Sequence, residues 1–257
     1  MVPTMTAAPS PRPFRFGVQA FKSASRTEWV ELARKAESLG YDVLTAPDHF
    51  DDQLAPVPAL MCAADATTSL RVGALVWDND YKHPVVLAKE LATMDVLSEG
   101  RLEIGIGAGW MISDYEQAGI PYDRPGVRID RFVEGLAIIK GLMGGEPFSF
   151  AGEHVTVTDS PGLPKPRQRP GPPIMMGGGD IETLTKMLRG AVQAFVKSER
   201  HQVRPCRAEV VSPCRERLGI IFSENALADN RHAELVAERF QHLRRGQHAA
   251  GENVALD

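Results

Sequence analysis

Between Phe14 and Leu142 the spacing of apolar and polar positions changes several times, and the changes come in a regular order. Residues 14–19 alternate as a half-buried strand does. Ser25 and Glu28 form a capping-box pair that predicts a helix through Trp29, Leu32, Ala33, Ala36 and Leu39, stopping at Gly40. Residues 41–46 read as a second strand, 58–67 as a short helix and 71–76 as a third strand. Val85, Val86, Ala88, Leu91, Ala92, Met94 and Val96 line the next helix, which ends at Gly100, and residues 102–106 form a fourth strand. A helix over about 127–143 is followed by a hairpin at 147–157. Residues 161–173, rich in Pro, Lys and Arg, are an extended connection to a fifth strand at 173–176. Strands separated by helices imply right-handed βαβ units and a parallel sheet. That repetition suits a (β/α)₈ barrel of the TIM type or an open, doubly wound sheet, and the pattern alone does not choose between them.

The regularity does not hold throughout. Residues 1–13 read as a flexible leader, and residues 180–257 carry no recognisable motif. Within that last stretch 181–190 and 233–243 have helical spacing, and 191–196, 209–211 and 218–222 have strand-like spacing. Residues 14–179 therefore stand as the barrel portion and 180–257 as a divergent segment. Either a truncation or frameshift has replaced the end of the barrel, or the chain represents a subfamily whose last strands are not legible.

Bulk properties narrow the chemistry. A net charge of -4 gives no reason to expect nucleic acid or an anionic membrane as a partner. The three cysteines, Cys62, Cys206 and Cys214, form no disulfide framework and match no zinc spacing, which suits a reducing cytoplasm. No apolar run approaches the ~20 residues that span a bilayer. Asp48, His49, Asp51 and Asp52 lie close together, but their spacing fits neither a helical ligand pair nor a carboxylate loop, so no metal is expected.

Four polar or glycine-rich motifs each follow a predicted strand. They are Asp48-His49-Phe50 after the second, Val76-Trp77-Asp78-Asn79 after the third, Gly107-Ala108-Gly109-Trp110 after the fourth and Gly177-Gly178-Gly179 after the fifth. In a parallel barrel the loops at the strands' carboxyl ends supply the functional groups. Alternate glycines there remove the Cβ atoms where a flat ligand could lie. Taken singly each motif has a plainer reading: a turn histidine, a core tryptophan, a tight turn, a loose glycine turn.

Together these segments resemble the luciferase-like flavin and deazaflavin oxidoreductases, the bacterial luciferase superfamily, over residues 14–179. The resemblance favours the barrel. It implies an enzyme that passes a hydride between coenzyme F420 and a small organic substrate, with His49 and Asp48 beside the ring and His49 exchanging the proton. An imidazole suits that exchange near neutral pH. It implies a non-proline cis peptide at about Val76-Trp77 and a hydrogen bond from Asn79 to the ring's pyrimidine edge. Contacts from Gly107, Ala108, Gly109 and Trp110 to the ring or ribityl chain follow, with Ser113 a further candidate for the ribityl hydroxyls. Gly177, Gly178 and Gly179 would cradle a phosphate. The Asp48-His49-Phe50 segment and the run from Asn79 to Pro84 look like the F420 branch. FMN with monooxygenation is the alternative within the superfamily, and a non-catalytic remnant is the alternative outside it. A homodimer fits the resemblance.

Overall fold

The structure is a computed structural model and describes residues 15–177 together with a short strand at Ile221–Phe222. The leader, Gly178, Gly179 and the other elements read between 181 and 243 lie outside the described residues. In chain order the elements are β1 (Gly17–Gln19), α1 (Arg26–Ser38), β2 (Val43–Ala46), α2 (Pro56–Asp65), β3 (Arg71–Asp78), α3 (Pro84–Leu97) and β4 (Leu102–Gly107). They continue with α4 (Ile112–Ala118), α5 (Pro125–Met143), β5 (Phe148–Ala151), β6 (Thr156–Ser160), β7 (Ile174–Gly177) and β8 (Ile221–Phe222).

The parallel strands lie side by side in the order β7-β4-β3-β2-β1-β8, and β5 and β6 form a separate antiparallel hairpin. This order decides what periodicity left open. A doubly wound sheet reverses direction at a switch point. Here the strands advance in one direction from β1 to β4 and on to β7, while β8 lies on the other edge of β1, where barrel closure places a late strand. Leu44, Val72, Ile104, Ile106 and Trp77 fill the sheet side of the core, and Leu87, Leu91, Phe132, Leu136 and Ile139 fill the layer where α3 and α5 pack. Each such side chain contributes roughly 1.5–3 kcal/mol through the apolar area it removes from water.

Local chemistry sets the element ends. The Ser25 hydroxyl accepts the Glu28 amide at 3.2 Å, as the capping box requires, while the Glu28 carboxylate reaches one residue further out, to the Ala24 amide at 3.0 Å. The short helix α4 carries no side-chain cap and buries only Asp114 and Tyr115, so it has no apolar period to read in the sequence. The extended 161–173 connection is pinned: the Gln168 amide and side chain donate to the buried Asp95 carboxylate at 2.8 and 2.6 Å.

Glu37 ties the end of α1 to the turn before β3. Its Oε1 accepts the amides of Thr68, Ser69 and Leu70 at 2.9, 2.6 and 3.0 Å. Burial would raise its pKa, but these amides and the Ser69 hydroxyl overcome that and lower it from the ordinary glutamate range to about 2. A depressed carboxylate contributes stability that is present above its unfolded value and lost as pH falls through the folded one. Wild type is therefore expected to lose about 1–2 kcal/mol more than Glu37→Gln on acidification from about pH 5 to about pH 2, after allowance for solvent screening. Urea unfolding at a series of pH values checks this.

Candidate active site

The carboxyl ends of β2, β3, β4 and β7 converge, and the described residues of the four sequence motifs converge with them. Asp48, His49 and Phe50 leave β2, and Val76 to Asn79 end β3. Gly107 to Trp110 run from β4 towards α4, and Gly177 closes β7.

The cis peptide lies between Leu75 and Val76, one bond before the position implied by the resemblance. The β3–β4 register shifts there, between Ala74 and Trp77. The ladder is interrupted at that point, and the Leu75 carbonyl accepts from Gln19 Nε2 at 3.1 Å. The Val76 side chain then lies across β4 and β7. A Cβ at Gly107 would come within 2.9 Å of it, one at Gly177 within 3.0 Å and one at Gly105 within 3.3 Å. Close approach at Gly107 and Gly177 is thus first of all to Val76, and at Gly105 to the Ala74 carbonyl.

His49 finds its partner far along the chain. Its Nδ1 lies 2.7 Å from Oδ2 of Asp114, on α4, and the Tyr81 hydroxyl donates to the same oxygen at 2.8 Å. Asp114 is 1% exposed and His49 20%. Burial would raise the Asp114 pKa, but the hydrogen bonds from His49 and Tyr81 hold it below the ordinary value. An ionised carboxylate only accepts, so Nδ1 carries the proton and Nε2 is left for exchange. The Trp110 ring stands edge-on to His49 at 5.7 Å and is 67% exposed, and Phe50 stacks on Tyr81 at 4.5 Å.

Asp48 does not bond His49. Its Oδ2 accepts the Asp78 amide at 3.3 Å, tying the end of β2 to that of β3, and burial raises its pKa. Trp77 is fully buried in the core, and its indole nitrogen has no partner among the described residues. The Asn79 side chain is turned against α5: its Oδ1 occupies the space a Cβ on Gly135 would need. Ser113 is exposed in the first turn of α4.

The Gly107–Trp110 loop is held from the α5 side. Arg128 donates to the carbonyls of Ala108 and Gly109, each at 3.3 Å, and the Tyr122 hydroxyl donates to that of Trp110 at 3.2 Å. The Arg128 guanidinium sits over the Tyr122 ring, 4.0 Å from its centroid. In a trans peptide the N–H points opposite to the C=O. The amides of Gly109, Trp110 and Met111 are therefore turned away from α5. Beneath the loop the Tyr115 hydroxyl lies 3.1 and 3.2 Å from the Asp78 oxygens and 3.2 Å from Asp80 Oδ2. Arg131 clasps Asp80 at 3.1 and 2.7 Å and Asp123 at 2.5 Å.

Asp114, Tyr81, Tyr115, Arg128 and Asp78 are the residues that sequence reasoning did not single out as site residues. Asp114 and Tyr115 lie in the unrecognised α4 and Arg128 on the long α5, so no local spacing links them to the strand-end motifs. Among the described residues no group of three or more His, Cys, Asp or Glu side chains could hold a metal, and no helix is long and apolar enough to cross a membrane.

Residues 12–204 match the family described as luciferase-like monooxygenase. Among curated proteins, the FMNH(2)-dependent dimethylsulfone monooxygenase of Pseudomonas putida is 30% identical over 173 residues, which cover 63% of this chain and 47% of that protein. The matched stretch thus spans about half the length of that relative. Among solved structures, the coenzyme F420 dependent tetrahydromethanopterin reductase from Methanopyrus kandleri superposes with a TM-score of 0.62 at 21% identity, over 72% of this chain and 62% of its own. The monooxygenase RslO1 from Streptomyces bottropensis gives a TM-score of 0.59 at 23% identity, over 76% and 69%.

Proposed function

Because the chain belongs to the luciferase-like monooxygenase family, we propose that it is an oxidoreductase that binds a flavin-type ring at the carboxyl ends of β2, β3, β4 and β7. Coenzyme F420 is the favoured cofactor, and the reaction is hydride transfer between its ring and a small organic substrate. The observation that carries the reading is the His49–Asp114–Tyr81 unit, a partly exposed imidazole anchored at Nδ1 by a buried carboxylate, at the end of the strands where barrel enzymes hold their ligands. The residues fit a planar, anionic-tailed cofactor. Val76 bulges over Gly107 and Gly177, an apolar surface against which a planar ring can lie, and the Gly109 and Trp110 amides are turned away from the helix that clamps the Ala108 and Gly109 carbonyls. When bound, the ring supplies the hydride chemistry.

The chain's own residues have distinct tasks. His49 Nε2 takes or gives the substrate proton, and Asp114 with Tyr81 fixes the ring's tautomer and orientation. Asp48 joins β2 to β3 rather than sharing the proton. Trp110 and Phe50 offer the apolar surface that lines the substrate's approach. FMN with oxygen insertion is the second reading, favoured by the FMNH(2)-dependent relative from Pseudomonas putida.

Parallel titrations of the full chain with coenzyme F420 and FMN, followed by ligand fluorescence, test the proposal. Saturable binding of F420 at least ~10-fold tighter than FMN is expected, a difference of about 1.4 kcal/mol. Tighter FMN binding would move the reading to the monooxygenase branch. No saturation with either ligand, by a folded and monodisperse protein, would remove the enzymatic reading.

A further inference from the structure

The Asp78–Tyr115–Asp80 contact beneath the Gly109 loop has more acceptors than protons. Tyr115 has one hydroxyl proton, yet both Asp78 oxygens and Oδ2 of Asp80 lie within 3.2 Å of its oxygen. If both carboxyls were ionised, that proton could satisfy one of them and the other would face phenol lone pairs in a buried site. Asp80 is neutralised by the two-point grip of Arg131. Asp78 has no such partner among the described residues. Its Oδ1 accepts the Asp80 amide at 2.8 Å, and the Tyr115 hydroxyl is the hydrogen-bonding partner of Oδ2 among the described residues.

We infer that in the folded protein Asp78 keeps its proton, as a neutral carboxylic acid, through the mildly acidic range in which a free aspartate is already ionised, and that it and Tyr115 then form the strut that sets the position of the Gly107–Trp110 loop. One arrangement uses every proton once: Asp78 Oδ2–H donates to the Tyr115 oxygen, and the Tyr115 hydroxyl donates to Asp80 Oδ2. The loop rests directly on this pair. A Cβ on Gly109 would fall inside the Tyr115 hydroxyl and 2.7 Å from Asp78 Oδ2, at a φ of +76°.

The charged and titratable neighbours on every packed element support the assignment. From the β2 end come the Asp48 carboxylate and His49, and from the β3–α3 connection Asp80, Tyr81 and Lys82. From α4 come Asp114 and Tyr115, and from α5 Arg128 and Arg131. Of the cations, Lys82 pairs with Glu90, Arg131 with Asp80 and Asp123, and Arg128 with backbone carbonyls. Burial, with the repulsion of Asp80 and Asp48 adding to it, outweighs the lowering by the Asp80 amide and the Tyr115 hydroxyl and raises the Asp78 pKa to about 6. Asp78 is therefore a positioning residue for the site, a role that rests on the cofactor reading. Loss of its proton sets two carboxylates against one phenol and loosens the loop.

The sign follows from proton binding. A carboxyl raised on folding is more protonated in the native than in the unfolded state between its two pKa values. The folding equilibrium constant therefore falls as pH rises, by up to about tenfold per pH unit for one proton. It levels off above about 6.

The test combines two measurements on the full chain. Infrared titration of wild type in heavy water should show a carboxylic-acid carbonyl band that persists at about pH 5, above the ordinary carboxylate range, and disappears by about pH 8. That band should be missing in Asp78→Asn. Urea unfolding over the same range should show the falling slope in wild type and its loss in Asp78→Asn, whose amide keeps the shape of the neutral acid. FMN and F420 affinity should weaken several-fold across the transition in wild type and stay level in the variant. If wild type shows no such band at about pH 5, the inference fails even where the variant does not fold. It also fails if Asp78→Asn keeps the wild-type slope. If neither cofactor binds at any pH while the band and slope behave as stated, the cofactor reading fails and the neutral Asp78 stands.

Discussion

Asp114→Asn is expected to lower turnover by ~10²-fold and His49→Ala by ~10²–10⁴-fold, the range that a positioned proton-transfer group contributes. The argument starts from the 2.7 Å contact between His49 Nδ1 and the Asp114 carboxylate. An ionised carboxylate forces the proton onto Nδ1. An asparagine amide can instead present an N–H to that nitrogen, which turns the imidazole to the opposite tautomer and takes the lone pair from Nε2. The geometry survives the change and the proton chemistry does not. Binding of the cofactor should therefore change little in Asp114→Asn while the rate of the proton-coupled step falls. Tyr81→Phe removes the second hydrogen bond to the same oxygen and should cost less, roughly 10-fold, because His49 remains anchored. Steady-state absorbance assays, run with a panel of small alcohols and carbonyl compounds for F420 and with oxygen for FMN, measure these effects. Wild-type turnover by Asp114→Asn would remove His49 from the chemistry.

Gly109→Ala is expected to destabilise the fold by about 2–4 kcal/mol and to abolish cofactor binding. Two causes add. The backbone at Gly109 has a φ of +76°, which a residue with a Cβ adopts at a cost. The added methyl also collides with the Tyr115 hydroxyl, which is held among buried carboxyls and cannot move aside cheaply. Gly126, in the first turn of α5, is the matched control, because a Cβ there meets nothing within 4 Å. Gly126→Ala should be neutral or stabilise by about 0.5–1 kcal/mol, through higher helix propensity. Thermal or urea unfolding separates the two variants, and the F420 and FMN titrations report the loop. Near-wild-type stability in Gly109→Ala would mean that the loop is not fixed by the Asp78–Tyr115 pair.

The two variants also separate the ways in which the site is built. Asp114 acts through the orientation of one ring, and its loss should appear in rate. Gly109 acts through the path of the backbone, and its loss should appear in stability and affinity together.

The sequence by itself determined the alternation of strands and helices up to residue 177 except for the short helix α4, because that alternation is written in local spacing and α4 buries only Asp114 and Tyr115. The capping pair Ser25–Glu28, the stop at Gly40 and the apolar period of α3 each act within a few positions. It also determined that these motifs collect at strand ends, since Asp48-His49, Val76-Trp77 and Gly107-Ala108-Gly109 each lie at or just beyond the carboxyl end of a strand. Three things were decided only by the tertiary structure. The strand order chose a barrel over a doubly wound sheet, because pairing between β4 and β7 and between β1 and β8 joins segments that no local pattern relates. The partner of His49 proved to be Asp114, 65 positions away, and not its neighbour Asp48, whose carboxylate faces the Asp78 amide. Gly107 of β4 and Gly177 of β7 proved to accommodate the Val76 side chain, which lies across them where the β3–β4 register shifts. In each case the reason is the same: hydrogen bonds and close contacts across the fold depend on where strand ends meet in space, and a sequence records spacing along the chain only.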